Sequence, residues 1–165
     1  CKILYDNINN TFFLVVTSND HETIRKMFQR NGLPESSFFV TGNLSYEDVK
    51  DYISAADIGL SAVPPTPSQK FRSPTKVAEY LLCGLPYITC EGVSEDDIYA
   101  KKYNVGVVVK SFHDNDILEG ISPIRHLLNE DKAYLRKKCR NVGISYRGKS
   151  NIDQLFKFFF QENPL

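Results

Sequence analysis

Lys76 and Glu79 are the pair whose residue types and spacing invite chemistry in this 165-residue sequence. They lie in the stretch from Phe71 to Cys90, FRSPTKVAEYLLCGLPYITC. Ser73 is a good helix N-cap, and Pro74 suits the first helical position, where its missing N–H is not needed. Gly84 is a C-terminal stop signal and Pro86 keeps the helix from resuming. Lys76 then falls at the third helical position, where free amides and the macrodipole favour negative charge. A lysine there is misplaced unless an anion joins it. Its nearest acid, Glu79, follows by three residues, and lysine before glutamate is the weaker orientation of such a pair. Free amides plus an ammonium group make a ready phosphate site. The plain alternative is a solvated lysine paired with Glu79.

The surrounding pattern supplies the elements that would hold this helix. Residues 2–9 look like the tail of a helix that begins earlier. Thr11–Thr17 is a continuous apolar, β-branched run, the pattern of a fully buried parallel strand. His21–Asn31 is helical with Ile24, Met27 and Phe28 on one face and Gly32 as the stop. Ser37–Thr41 is a second strand. Ser45 caps a helix over Tyr46–Ala55, with Asp48 where a capping-box acid sits. Asp57–Val63 is a third strand. The segment 64–70 holds three prolines and is expected to be irregular. Tyr87–Cys90 is a short buried strand, Ser94–Asp97 opens a helix with acids in its first turn, and Gly106–Lys110 is a fifth strand. From Asn115 the chain is helical, with breaks expected near Ser122-Pro123, Gly143 and Gly148. Leu155, Phe156, Phe158, Phe159 and Phe160 make the last helix too apolar for one face of an isolated surface helix. Strands alternating with helices imply a Rossmann-like, doubly wound α/β fold with a parallel sheet, whose ligands bind beyond the carboxyl ends of the strands. The loops after Thr41 and Val63 and the start of the Lys76 helix share that edge.

Composition narrows the function classes. Lys and Arg together number 20, as do Asp and Glu, so the net charge is zero and a general nucleic-acid role is disfavoured. No apolar run has the length of a membrane span, and no signal peptide is visible. Cys1, Cys83, Cys90 and Cys139 form no Cys-x-x-Cys pair, and His21, His113 and His126 are isolated, so no metal site is expected. A reducing cytosol is the default location. The Asn9 and Asn43 glycosylation tripeptides are read as chance matches. The chain starts at Cys1 rather than Met, which suggests a fragment.

The segment Ser-Pro-Thr-Lys-Val-Ala-Glu-Tyr-Leu-Leu-Cys-Gly-Leu-Pro resembles the donor site of GT-B glycosyltransferases, in the large retaining group that uses nucleotide sugars. Phe39-Val40-Thr41-Gly42, the Tyr46–Val49 helix start and Ala55–Leu60 are similar to that family's strand, helix and strand in the same order. The resemblance runs from about Thr11 to Val109 and implies the C-terminal, donor-binding half of such an enzyme. It implies that Lys76 and Glu79 are the catalytic-site pair. Ser73, Thr75 and Lys76 would hold the donor diphosphate, Glu79 the ribose hydroxyls, and Gly42-Asn43-Leu44 the base. A carboxylate can accept from two neighbouring hydroxyls at once. Positive charge aimed at the diphosphate stabilises the leaving group as the sugar–phosphate bond breaks.

By the same resemblance the donor is a nucleotide-diphosphate sugar, with no further cofactor or metal. The acceptor is a glycan or glycolipid, held by an N-terminal domain outside this sequence and touched by the C-terminal helix. The location is cytoplasmic, or peripheral at the inner membrane surface. The pattern is departed from in two places. Many members carry an acid eight residues before the ribose-binding glutamate. That position is Phe71, and no acid occurs from Ile58 to Ala78, so sugar recognition must fall to Gln69 or loop amides. The family's first C-terminal-domain strand, central in the sheet between the first and third strands here, also has no counterpart, which implies a gap in the ladder. Two other functions remain open. One is a non-catalytic α/β module that binds a nucleotide or a protein. The other is a GT-B-fold sugar-nucleotide epimerase, whose acid/base set is not found.

Overall fold

Strand pairing among the described residues is parallel throughout, as the alternation of apolar strands and amphipathic helices requires. The computed structural model describes residues 1–71 and 74–148, without the side chains of Tyr46 and Arg147. In order, the elements are α1 (Lys2–Asn7), β1 (Phe13–Val16), α2 (His21–Arg30), β2 (Phe38–Thr41), α3 (Tyr46–Ala55), β3 (Gly59–Leu60), α4 (Thr75–Leu82), β4 (Tyr87–Cys90), α5 (Asp96–Tyr103), β5 (Gly106–Val109), α6 (Asp114–Leu128) and α7 (Lys132–Arg147). Short 3-10 turns cover Glu35–Ser37 and Pro67–Phe71. The expected irregular segment 64–70 therefore ends in a turn of helix.

The strands form two sheets. β1 pairs with β2, and β3, β4 and β5 pair in that order. The larger sheet carries helices on both faces. A Cβ on Gly59 would strike the Tyr80 ring of α4, and one on Gly106 would meet Ala100 of α5 at 3.3 Å. Position 59 of β3 and positions 87 and 89 of β4 thus face α4 and α5. The alternate residues Leu60, Ile88 and Val109 line the other side with Leu4 of α1 and Ile117 and Ile124 of α6. α7 closes the first face. Its Gly143 lies where a Cβ would come within 2.9 Å of the Leu81 and Leu82 backbone, so the two helices meet backbone to backbone. The main core runs through Val77, Leu81, Tyr87, Cys90, Val105 and Cys139, whereas the smaller sheet closes only over Phe28, Leu33, Phe38 and Val40.

Local signals account for most helix ends. Asp20 caps α2 by accepting from the Thr23 amide at 2.8 Å. Ser45 and Asp48 form the reciprocal capping box on α3. Gly84, at φ +77°, ends α4: its amide donates to Leu81 O, and the Leu85 amide to Tyr80 O, the two bonds of a Schellman motif.

Several expectations need correction. α4 starts at Thr75, with Pro74 at the cap position in extended conformation and no side-chain cap bond. Lys76 is therefore the second helical residue, and the expected cap Ser73 lies outside the described residues. The run Thr11–Thr17 yields a four-residue strand with no buried residue, and Asp57–Val63 only the two-residue β3. Among the described residues each has a hydrogen-bonded neighbour on one side only. The breaks near Ser122-Pro123 and Gly143 do not occur. Pro123 lies inside α6 on its solvent side, opposite Ile121, Ile124 and Leu127, where water can satisfy the Glu119 carbonyl that the proline leaves without a donor. Gly143 serves the close approach of α7 to α4. The Leu155–Phe160 helix lies outside the described residues.

Candidate functional site

α4 presents both Lys76 and Glu79. Val77 and Leu81 are fully buried and fix one side of the helix in the core. Thr75 and Lys76 stand exposed at its start, and Glu79, one turn on, is half-buried. Positions three apart share a face of the helix. Lys76 and Glu79 nevertheless make no ion pair with each other, and neither side chain has a hydrogen-bond partner among the described residues. The plain alternative of a lysine neutralised by Glu79 is thus not what the molecule does. Nor does any carbonyl among the described residues accept from the Thr75 or Lys76 amide. Two free amides, an ammonium group and, a turn away, a free carboxylate can take an anion and a pair of hydroxyls together.

Behind this face, the Tyr80 ring packs on Gly59 and its hydroxyl donates to Leu60 O at 3.4 Å. Burial, with a smaller contribution from the Glu79 charge, pushes the Tyr80 pKa up. Phe71, at the position of the absent acid, is 88% exposed. The Gln69 carbonyl accepts from the Ser94 amide at 3.1 Å, tying the 67–71 turn to the connection after β4.

The expected base loop, Gly42-Asn43-Leu44, follows β2 and is shaped by its neighbour. A Cβ on Gly42 would fall 2.0 Å from Thr17 O and 2.8 Å from His21 Nε2, so only glycine fits. Asn43 follows in the left-handed conformation, φ +56°. His21, read from the sequence as an isolated helix-end residue, is half-buried with Nε2 3.2 Å from Thr17 O. It belongs to this loop's surroundings. Parallel pairing of β1 with β2 was the available signal, because it sets the loops after Thr17 and Thr41 side by side.

The structure gathers Thr75, Lys76 and Glu79 on one helix at the carboxyl end of β3. It places Gly42-Asn43-Leu44 at the carboxyl end of β2, in the other sheet, and no strand ladder among the described residues joins the two groups. An open depression of about 490 Å³ lined by Tyr5, Asn9, Asn10, Thr11, Ser36 and Ser37 lies at the amino ends of β1 and β2. That is the wrong end for a parallel-sheet ligand site. Among the described residues no group of three or more His, Cys, Asp or Glu is arranged to hold a metal ion, and no helix is long and apolar enough to cross a membrane.

No family model and no curated protein sequence matches the chain. Solved structures do. TarM superposes with a TM-score of 0.69 at 18% identity, over 96% of this chain and 30% of its own. Sucrose-phosphate synthase from Thermosynechococcus elongatus matches at 0.64 and 19%, over 91% and 39%. WaaG, a glycosyltransferase involved in lipopolysaccharide biosynthesis, matches at 0.64 and 18%, over 92% and 38%. These are GT-B glycosyltransferases, and the chain has the fold of a GT-B domain, consistent with the C-terminal one. It spans well under half the length of each.

Proposed function

We propose that this domain binds the nucleotide-sugar donor of a glycosyltransferase that transfers a hexosyl-type sugar to a polysaccharide or glycolipid acceptor. The observation that carries the reading is Lys76 and Glu79, one turn apart at the start of α4 and without a partner among the described residues, in a GT-B fold. The amides of Thr75 and Lys76 and the Lys76 ammonium hold the diphosphate, with Ser73 beside them. Glu79 accepts from the ribose hydroxyls, and Gly42-Asn43-Leu44 lies against the base. Charge that develops on the departing diphosphate meets fixed positive groups, which lowers the barrier to breaking the sugar–phosphate bond. No metal takes part in this scheme.

The reading extends to segments outside residues 1–165. A further strand lies between the open edges of β1 and β3, and a separate domain, met by the C-terminal helix, binds the acceptor. The fragment alone is then inactive, and the whole enzyme acts in the cytoplasm or at the inner membrane surface. Calorimetric titration with UDP-, GDP- and ADP-sugars tests the reading. One nucleotide series binding at micromolar to millimolar levels supports it; no binding by the folded full-length protein rejects it.

The exposed Phe71 in place of an acid favours a second reading, a nucleotide-binding module without transferase chemistry. It predicts nucleotide binding that is indifferent to the attached sugar.

A further inference from the structure

α7 carries charge of one sign. It holds Lys132, Arg136, Lys137, Lys138, Arg140 and Arg147 and no acid, in a chain whose net charge is zero. The N-cap Asp131 lies just outside it. Tertiary contacts account for part of this set. Lys132 pairs with Asp57 at 2.6 Å and Lys138 with Glu130 at 2.9 Å. Arg136 donates to Ser54 O at 2.8 Å and to Ala56 O at 3.0 Å. Lys137 and Arg140 are exposed, with no hydrogen bond or ion pair among the described residues. Leu135, Cys139 and Val142 turn one side of α7 into the core. A turn of about 100° per residue then puts Tyr134, Lys137, Arg140, Asn141 and Ile144 on the opposite side. Tyr134 is 64% exposed there and Ile144 49%.

Contact with water explains a charged face but not its single sign. A solvated helix surface usually mixes acids with bases and gains from pairs four residues apart. α7 has no such pair, and Arg136 and Arg140, four apart, repel each other. At its carboxyl end Tyr146 stacks on Tyr99 of α5, ring centroids 4.6 Å apart. Lys102, also exposed, stands 5.1 Å from the centroid of the neighbouring Tyr103 ring and adds a further cation. Bare cations mixed with tyrosine and a large aliphatic side chain on a convex helix face suit a layer that is anionic outside and apolar within. Lipid phosphates meet the cations, and the tyrosine ring and isoleucine enter the headgroup boundary. An acidic protein surface would answer the cations alone.

We propose that the outer face of α7, through Tyr134, Lys137, Arg140 and Ile144, docks on an anionic lipid surface. This docking is independent of the donor site read at α4. α7 crosses α4 at its carboxyl end, where a Cβ on Gly84 would meet the Arg136 carbonyl at 3.0 Å. Lys76 lies near the other end of that eight-residue helix, about 10 Å along its axis. A lipid surface under α7 therefore leaves the start of α4 open to solution.

The test is co-sedimentation of the full-length protein with two kinds of vesicle, phosphatidylcholine alone and phosphatidylcholine with about one third phosphatidylglycerol. Two double variants run beside it, Lys137→Gln/Arg140→Gln and Tyr134→Ser/Ile144→Ser, with melting temperatures and nucleotide-sugar affinities recorded in solution. Each cation near an anionic surface adds roughly fivefold to binding. Wild type should bind the anionic vesicles at least tenfold more tightly than the neutral ones. The charge variant should lose at least tenfold on anionic vesicles, and the apolar variant should bind them severalfold more weakly. All three proteins should melt alike and bind nucleotide sugar alike, because every substituted side chain is exposed and away from the start of α4. A wild type that binds neither vesicle, or both equally, overturns the proposal, as does a charge variant that binds like wild type. An apolar variant with full affinity also overturns it, since α7 would then answer to any acidic surface, such as that of an acidic protein. None of these failures touches the donor site, which the nucleotide-sugar affinities test separately.

Discussion

β1 and β4 are both four-residue apolar strands in parallel pairing, yet their surroundings differ sharply. Every residue of β4 is buried and none of β1 is. β4 has a partner on each edge, with α4 and α5 on one face and α1 and α6 on the other. β1 has β2 on one edge and, among the described residues, nothing hydrogen-bonded on the other. An apolar run therefore does not bury itself. The neighbours on both edges do that, and an open apolar edge invites another strand.

Hydrogen exchange should show the largest contrast. Thr17 N donates to Thr41 O, so alternation along a parallel ladder points the Leu14 and Val16 amides at the open edge. The Ile88 and Thr89 amides of β4 should exchange by global unfolding, and those of Leu14 and Val16 by local opening, orders of magnitude faster. A longer protein in which Leu14, Val16 and Leu60 become protected would place a strand between β1 and β3. Equal protection of β1 and β4 in residues 1–165 alone would break the contrast.

Matched truncations should differ by a smaller margin. Val107→Ala in β5 removes a buried side chain from the main core and should cost about 2–3 kcal/mol. Val15→Ala in β1 should cost less than about 1 kcal/mol. Urea unfolding curves measure both, and similar losses would show that the two halves share one cooperative core.

Alkaline pH gives the smallest effect, and it belongs to the larger half. Burial pushes the Cys139 thiol from 9.0 up to about 12 and Cys90 to about 11. In the unfolded chain both lose their protons near pH 9, while in the fold both keep them. Above that pH the unfolded state binds fewer protons, so stability falls as pH rises. Cys139→Ala should flatten the slope of stability against pH above 9, and an unchanged slope would contradict this origin.

Local signals in the sequence carried the α/β class, the α3 capping box, the Gly84 stop and the burial of β4, because each depends on a few adjacent residues. What failed depends on distant ones. The exposure of β1 and the shortness of β3 follow from a neighbour each lacks among the described residues. Gly143 reads as a helix breaker until α4 is seen against it, and Pro123 is tolerated because its side of α6 faces water. At the site, the sequence marked Lys76 and Glu79, but not their freedom from each other or the fit of His21 beside Gly42.

The most direct measurement is calorimetric titration of the full-length protein and its Lys76→Ala variant with the nucleotide-sugar panel, with melting temperatures alongside. Lys76 is exposed and unpartnered among the described residues, so its removal should leave the fold's stability unchanged. Donor affinity should fall by about 1.5–3 kcal/mol, the loss of a charged hydrogen bond. Equal donor affinity in the two proteins would contradict the placing of the diphosphate at the start of α4.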